Sequence, residues 1–260
     1  MAELKIRRDG TTGWIVFSNP DKHNAMTYEM WRALPEAIAA FDADPELRAI
    51  AFAGEGDKAF VSGADISEFE SRRGSAEAAA EYNRAGAAAS EALYNARLPT
   101  IACIRGICFG GGLGLALGCD MRIAADDARF CIPAARLGLG YGYAGLKRLV
   151  DVVGPAYAAE IFATARRYDA KEALQMGLLN RVAPVAELSA VTGEYLKAIG
   201  DNAPLTVEAA LTAIDEIMKP DRERDPARVQ AKVDRCFASE DYKEGRRAFM
   251  EKRKPVFRGK

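Results

Sequence analysis

The chain has 260 residues, about half of them hydrophobic, and its formal charges nearly cancel at −1. That is enough for one large core with or without an extension. The balanced charge, and the absence of an apolar run long enough to cross a bilayer, argue against a nucleic-acid-binding or membrane-embedded protein. Five cysteines with no Cys-x-x-Cys pair argue against a disulfide framework or zinc knuckle, and four of them lie in apolar surroundings that read as buried and inert. His23 is the only histidine, which leaves little for a histidine triad or a multi-histidine metal site. Met1-Ala2-Glu3-Leu4-Lys5 carries no apolar signal core, so the expected setting is the cytosol.

Residues 13–18 read as a strand, followed by a loop of turn residues at 19–25. Thr27 is placed to cap a helix in which Trp31, Leu34, Ile38 and Phe41 recur at helical spacing. Pro35 lies inside that pattern and is expected to kink or shorten the helix. Strands follow at 49–53 and 59–61, after which Ser62-Gly63-Ala64-Asp65 breaks into a helix. The alanine-rich stretch 75–96 reads as a long helix. The unit then repeats, with strand 100–104, helix 111–118 and strands 121–125 and 129–132. Strand, strand, helix, with a glycine-bearing loop before the helix, argues for an α/β fold. From Gly145 onward the pattern is helical. An amphipathic helix at 169–178 starts at an Asp cap and breaks at Gly177, and later helices are separated by Pro204, Pro220 and Pro226. The chain is expected to divide into a core at 1–190 and a C-terminal helical region at 191–260.

Two loops carry the chemical signal. Gly110-Gly111-Gly112 joins a strand to a short apolar helix, where glycine permits close backbone approach and a helix start leaves N–H groups without partners. Tight helix–strand packing is the alternative reason for such a run. Ser62-Gly63-Ala64-Asp65-Ile66 also ends a strand with glycine and opens a helix. Two such loops could each donate one backbone N–H to a single oxygen, which is how an oxyanion hole is built.

Asn24-Ala25-Met26, Gly63-Ala64-Asp65-Ile66, Gly110-Gly111-Gly112 and Cys119-Asp120 resemble the signature of the crotonase superfamily, the enoyl-CoA hydratase/isomerase fold. The ending, Ser239 to Gly245 and Ala248 to Phe257, resembles that family too. The resemblance implies a spiral of repeated ββα units and a helical C-terminal part that mediates a homotrimer or a dimer of trimers. It implies an oxyanion hole from the N–H groups of Ala64 and Gly111, polarising an acyl-CoA thioester and stabilising its enolate. It places the adenine near Ala64, Asp65 and Ile66, after Gly63, and the pantetheine near the segment from Lys22 through His23 to Ala25. Asp65 to Phe69 and the C-terminal helices are expected to line the acyl pocket, with Gly110, Pro133 and Ala134 beside the thioester. Coenzyme A enters only as part of the substrate; no separate cofactor, metal, nucleic acid or membrane is implied.

The chain departs from the family's hydratases at two positions. Their two catalytic glutamates match Gly114 and Ala134, and neither residue can orient water or move a proton. Between Arg105 and Leu149 the only carboxylates are Asp120, Asp126 and Asp127, placed by pattern away from the two loops. The stretch Leu137-Gly138-Leu139-Gly140-Tyr141 resembles the loop of methylmalonyl-CoA decarboxylases, in which a tyrosine matches Tyr141; those enzymes carry a histidine where this chain has Ala64. Decarboxylation needs no base, because departing carbon dioxide leaves the enolate. The expectation is an acyl-CoA-binding lyase or isomerase of fatty-acid-type metabolism, working by decarboxylation or isomerisation in preference to two-glutamate hydration. The alternative is a non-catalytic acyl-CoA binder that keeps the hole.

Other polar residues have two readings each. Tyr141 is catalyst or pocket wall. Asp65 is a base or, better, a helix cap. Glu68 is a weak candidate base. Arg136 meets a ligand anion or, better, a salt-bridge partner. Lys22, Lys254 and Lys260 meet CoA phosphates or only solvent. Residues 140–145 fit the G-x-G-x-x-G spacing, but no core strand precedes them, so a dinucleotide cofactor is not expected.

Overall fold

The computed structural model describes residues 2–68 and 74–260. Its strands are β1 (Glu3–Asp9), β2 (Thr12–Ser18), β3 (Ala49–Gly54), β4 (Ala59–Val61), β5 (Thr100–Ile104), β6 (Ile107–Phe109), β7 (Met121–Ala125), β8 (Arg129–Cys131), β9 (Tyr168–Asp169) and β10 (Arg181–Ala183). The helices are α1 (Tyr28–Ala43), α2 (Ala76–Tyr94), α3 (Gly111–Gly118), α4 (Tyr143–Thr164), α5 (Ala170–Gln175), α6 (Leu188–Asp201), α7 (Pro204–Met218), α8 (Pro226–Ala238) and α9 (Glu240–Met250).

The repeated ββα unit is present. Each of the pairs β3/β4, β5/β6 and β7/β8 sends its first strand to a six-stranded sheet, ordered β1-β2-β3-β5-β7-β10. The second strand goes to a four-stranded sheet, ordered β4-β6-β8-β9. Apart from the β1–β2 and β8–β9 pairs the neighbours run parallel, as helical crossovers require. The result is the α/β crotonase-like fold.

Strand β3 shows how the core is split. Alternate side chains leave a strand on opposite faces. Ile50 and Phe52 accordingly join the main core with Phe17, Leu34 and Phe60, while Ala49 and Ala51 join a smaller cluster closed by Leu188 and Leu196 of α6. Helix α6 therefore packs under the large sheet. Thr27 caps α1 through a hydrogen bond from Met30 N to its Oγ1, 3.3 Å.

Pro35 does not break α1, which runs from Tyr28 to Ala43. A proline inside a helix costs about 3 kcal/mol. Burial of Trp31, Leu34, Ile38 and Phe41 outweighs that, at roughly 1.5–3 kcal/mol per side chain. The reading of everything after Gly145 as helical is corrected by the two-residue strand β9 and the three-residue strand β10, each too short to show an alternation. Gly154, at φ +76° and followed by Pro155, divides α4 into two segments. Among the described residues, the helix expected after Asp65 is a single 3₁₀ turn, Ile66–Glu68, and no helix is long and apolar enough to cross a membrane. All five cysteines are free.

Candidate active site

The loop after β4 and the loop after β6 meet. A Cβ built on Gly63 would lie 3.8 Å from Gly111 N, and one built on Gly111 would lie 3.8 Å from Ala64 N. Backbone bonds set both loops. Ala64 bridges to Met26, with Met26 N donating to Gly63 O at 2.8 Å and Asp65 N donating to Met26 O at 2.8 Å. Gly110 N donates to Cys131 O at 2.8 Å, and Gly111 is the first residue of α3. Among the described residues neither Ala64 N–H nor Gly111 N–H has an acceptor. Two unpaired amide donors this close can hold one oxygen and stabilise charge developing on it.

The glycines divide the work. Gly110 sits at φ +51° and ψ −118°, a backbone that a side chain opposes. Any Cβ on Gly112 would overlap the carbonyl oxygen of Val61, so α3 lies directly on β4. The packing reason for the run thus holds at Gly112, alongside free donors at the neighbouring position. Gly114 is different. It is exposed, and nothing lies within 4 Å of where its Cβ would stand. Ala134, one residue after Pro133 in a 3₁₀ turn, is buried. At the far end of α3, the buried Arg122 donates through Nη1 to Cys119 O at 2.6 Å and Ala116 O at 3.3 Å, and through Nε to Leu178 O at 2.8 Å. Those bonds terminate the helix that carries Gly111.

Tyr141 is half-buried. Its ring stands edge-on to Phe162, with centroids 4.9 Å apart, and burial pushes the phenol pKa up. The phenol therefore stays protonated through the neutral range, and its hydroxyl has no hydrogen-bond partner among the described residues. Trp31, 6% exposed, lies under Gly111, with Cζ2 3.3 Å from a Cβ built on that residue. Sequence periodicity marked Trp31 only as core; its place beneath Gly111 depends on long-range packing.

The polar candidates are mostly occupied. Asp65 is 4% exposed and binds Lys22 Nζ through Oδ2 at 2.7 Å. Its Oδ1 accepts from Ser67 N at 3.0 Å and Ser67 Oγ at 2.7 Å. Burial alone would raise the Asp65 carboxyl; hydrogen bonds from Lys22 and Ser67 overcome it and hold the pKa below the usual value. Asp65 is thus the cap of its 3₁₀ turn rather than a base. Glu68 accepts the N–H of Tyr28, the first residue of α1, at 2.8 Å.

Asp120 accepts Thr100 N and Oγ1, Asp126 accepts Val185 N, and Asp127 accepts Gly106 N, so all three carboxylates hold backbone elsewhere. Lys254 pairs with Asp201 at 2.7 Å. Arg136 is exposed and, among the described residues, makes no ion pair within the chain. His23 and Asn24 both take left-handed backbone, at φ 52° and 57°. The Asn24 amide holds that turn by donating to Glu55 O at 2.9 Å and Ala59 O at 2.8 Å. Ile66 is largely exposed and Ala25 is buried. Phe69 lies outside the described residues. Residues 140–145 pass from irregular backbone into the start of α4, without the strand a dinucleotide loop requires.

A family model described as enoyl-CoA hydratase/isomerase matches residues 7–260. The short-chain-enoyl-CoA hydratase of Clostridium acetobutylicum is 32% identical over 252 residues, covering 96% of this chain and 95% of that protein. The carnitinyl-CoA dehydratase of Escherichia coli O157:H7 is 33% identical over 261 residues, covering 99% and 98%. The crystal structure of an enoyl-CoA hydratase/carnithine racemase from Magnetospirillum magneticum superposes with a TM-score of 0.93 at 35% identity, covering 100% of this chain and 97% of that one.

Proposed function

The chain belongs to the enoyl-CoA hydratase/isomerase family, and on that footing we propose that it holds an acyl-CoA thioester with the carbonyl oxygen between Ala64 N–H and Gly111 N–H. The observation that carries this reading is the pair of unpaired donors beside an empty side-chain position at Gly114. The pantetheine runs past Lys22 to Ala25 and the adenine past Ala64 to Ile66. Gly114 and Ala134 supply neither of the glutamates used by the family's hydratases.

A reaction suited to such a site makes its enolate without a protein base. In decarboxylation of a malonyl-type thioester, the bond between the α-carbon and the carboxylate breaks and its electron pair enters the enolate. The hole stabilises that charge as carbon dioxide leaves. Tyr141, a neutral phenol, is the group available to hold the departing carboxylate or to return a proton to the α-carbon. Isomerisation is the second chemistry, and it differs in that a base must take a carbon-bound proton to form the enolate and return it at the other end of the allylic system; both are preferred to hydration. The exposed apolar side chains of α8 and α9, Phe237, Phe249 and Met250, support a homotrimer or a dimer of trimers built through the C-terminal helices.

The test is a mass-spectrometric panel of enoyl-CoA and malonyl-type CoA esters with the purified protein. Conversion of a malonyl-type or isomerisable ester supports the reading. Tight binding with no turnover of any ester makes the protein an acyl-CoA binder, and fast hydration of crotonyl-CoA refutes the argument from the absent glutamates.

A further inference from the structure

Apart from one ion pair, four hydrogen bonds tie residues 62–65 to residues 22–26. Ser62 N donates to His23 O at 3.1 Å and Ser62 Oγ to Lys22 O at 3.0 Å. The other two are the Met26–Gly63 and Asp65–Met26 bonds around Ala64. The segment that receives them contains two successive non-glycine residues in left-handed conformation, His23 and Asn24, a strained geometry that persists only where neighbours hold it. Among the described residues, one ion pair crosses between the two segments, from Lys22 Nζ to Asp65 Oδ2, and the same ammonium donates to Ser67 Oγ at 2.6 Å.

We propose that Lys22 is a positioning residue whose ion pair with Asp65 clasps these two loops together and thereby sets the Ala64 N–H in the hole. It is not a ligand for the phosphates of the bound thioester. Two of its three ammonium protons are already taken, and the Asp65 carboxylate is almost fully buried. Swinging Lys22 out to a phosphate would leave that carboxylate without its cation, an unfavourable exchange. The Lys22 side chain is 47% exposed along its length, so its replacement spares the core. This inference rests on the thioester reading given above.

The experiment uses the full chain and acetyl-CoA labelled with ¹³C at the thioester carbonyl. Infrared difference spectra report how strongly the hole polarises that carbonyl, with or without turnover. Lys22→Met should lose most of the carbonyl red shift and bind acetyl-CoA about tenfold more weakly, a displacement effect at the donor. Lys22→Arg, which keeps the cation, should keep both the shift and the affinity. A Lys22→Met protein that loses affinity for CoA but not pantetheine, with the red shift intact, overturns the proposal. Asp65→Asn should reproduce Lys22→Met, and the double variant should be no worse than either; additive losses also overturn it. If Asp65→Asn does not fold, Lys22→Met carries the test alone. A wild-type protein without any carbonyl shift contradicts the thioester reading itself. The clasp is then judged on the free protein, where Lys22→Met must move the Ala64 amide resonance and speed its hydrogen exchange. An unmoved amide refutes it.

Discussion

Replacing Gly112 and Gly114 by alanine, one at a time, should move stability in opposite directions although both lie in α3. Helix propensity favours alanine over glycine by about 0.5–1 kcal/mol at either position. At Gly114 nothing lies within 4 Å of the new methyl, so that gain stands. At Gly112 the methyl would overlap the Val61 carbonyl oxygen and press on the Val61 side chain. Val61 is a buried strand residue bonded into the small sheet, so it cannot step aside as a flexible side chain would. Overpacking of this kind costs about 1–3 kcal/mol, and backbone contact puts the cost at the upper end. The net expectation is a gain of up to about 1 kcal/mol for Gly114→Ala and a loss of about 2 kcal/mol for Gly112→Ala. For a chain of this size each kcal/mol is worth about 2–4 °C in Tm. Thermal unfolding followed by circular dichroism separates the two variants by about 5–12 °C on that scale. Equal shifts of the same sign would refute the packing of α3 against β4 described above.

Other perturbations have defined signs. Tyr141→Phe should lower turnover of the active ester about tenfold, or about 1.4 kcal/mol in the barrier, with KM little changed; unaltered turnover makes Tyr141 a wall. Because burial raises the Tyr141 pKa, turnover that depends on its phenol should stay level from neutral pH to about pH 10, and a fall near pH 8 would exclude it as the group responsible. Arg122→Met should strand the carbonyls of Ala116, Cys119 and Leu178 and cost about 3 kcal/mol or more, read as a lowered urea midpoint. Glu216 has its pKa lowered to about 2, chiefly by hydrogen bonds from Lys219 and Asp225 N, with Arg228 adding to them. A carboxyl depressed on folding contributes stability above its unfolded pKa and loses it as pH falls through the folded value. Stability should therefore decline from about pH 4.5 toward about 2, and Glu216→Gln should flatten that limb; an unchanged acid limb contradicts it.

The repeating unit was legible because α1, β3, β5 and α3 each carry a period or an apolar run that only one local structure can bury. Strand β1 was missed although Leu4 and Ile6 alternate with Glu3, Lys5 and Arg7: the alternation is short, nearly all of the strand is exposed, and it forms through backbone pairing with β2. Asp169 and Glu172 make the capping box that the Asp cap at the start of α5 suggested, since that contact spans three residues. The Lys22–Asp65–Ser67 network spans more than forty residues, and no local pattern encodes it. Trp31 lay in the expected core stripe; its seat under Gly111 follows only once α1 and α3 are packed. Local physics thus located the loops of the candidate site, while the contacts that aim those loops belong to the assembled fold.

The alternation of strands between the two sheets has a consequence for the spacing of the two candidate donors. Ala64 follows β4 and Gly111 follows β6, and these strands are hydrogen-bonded neighbours in the small sheet. Adjacent strands lie about 4.8 Å apart. Two N–H donors at that separation can each reach a single oxygen at about 2.9 Å with a comfortable angle between them. In the thioester reading the coarse gauge of the site is therefore the lattice spacing of a β-sheet, within which the proposed Lys22–Asp65 clasp trims the aim of the Ala64 N–H. Substitutions beside the two loops, at Gly114 and Ala134 included, leave that strand pairing in place.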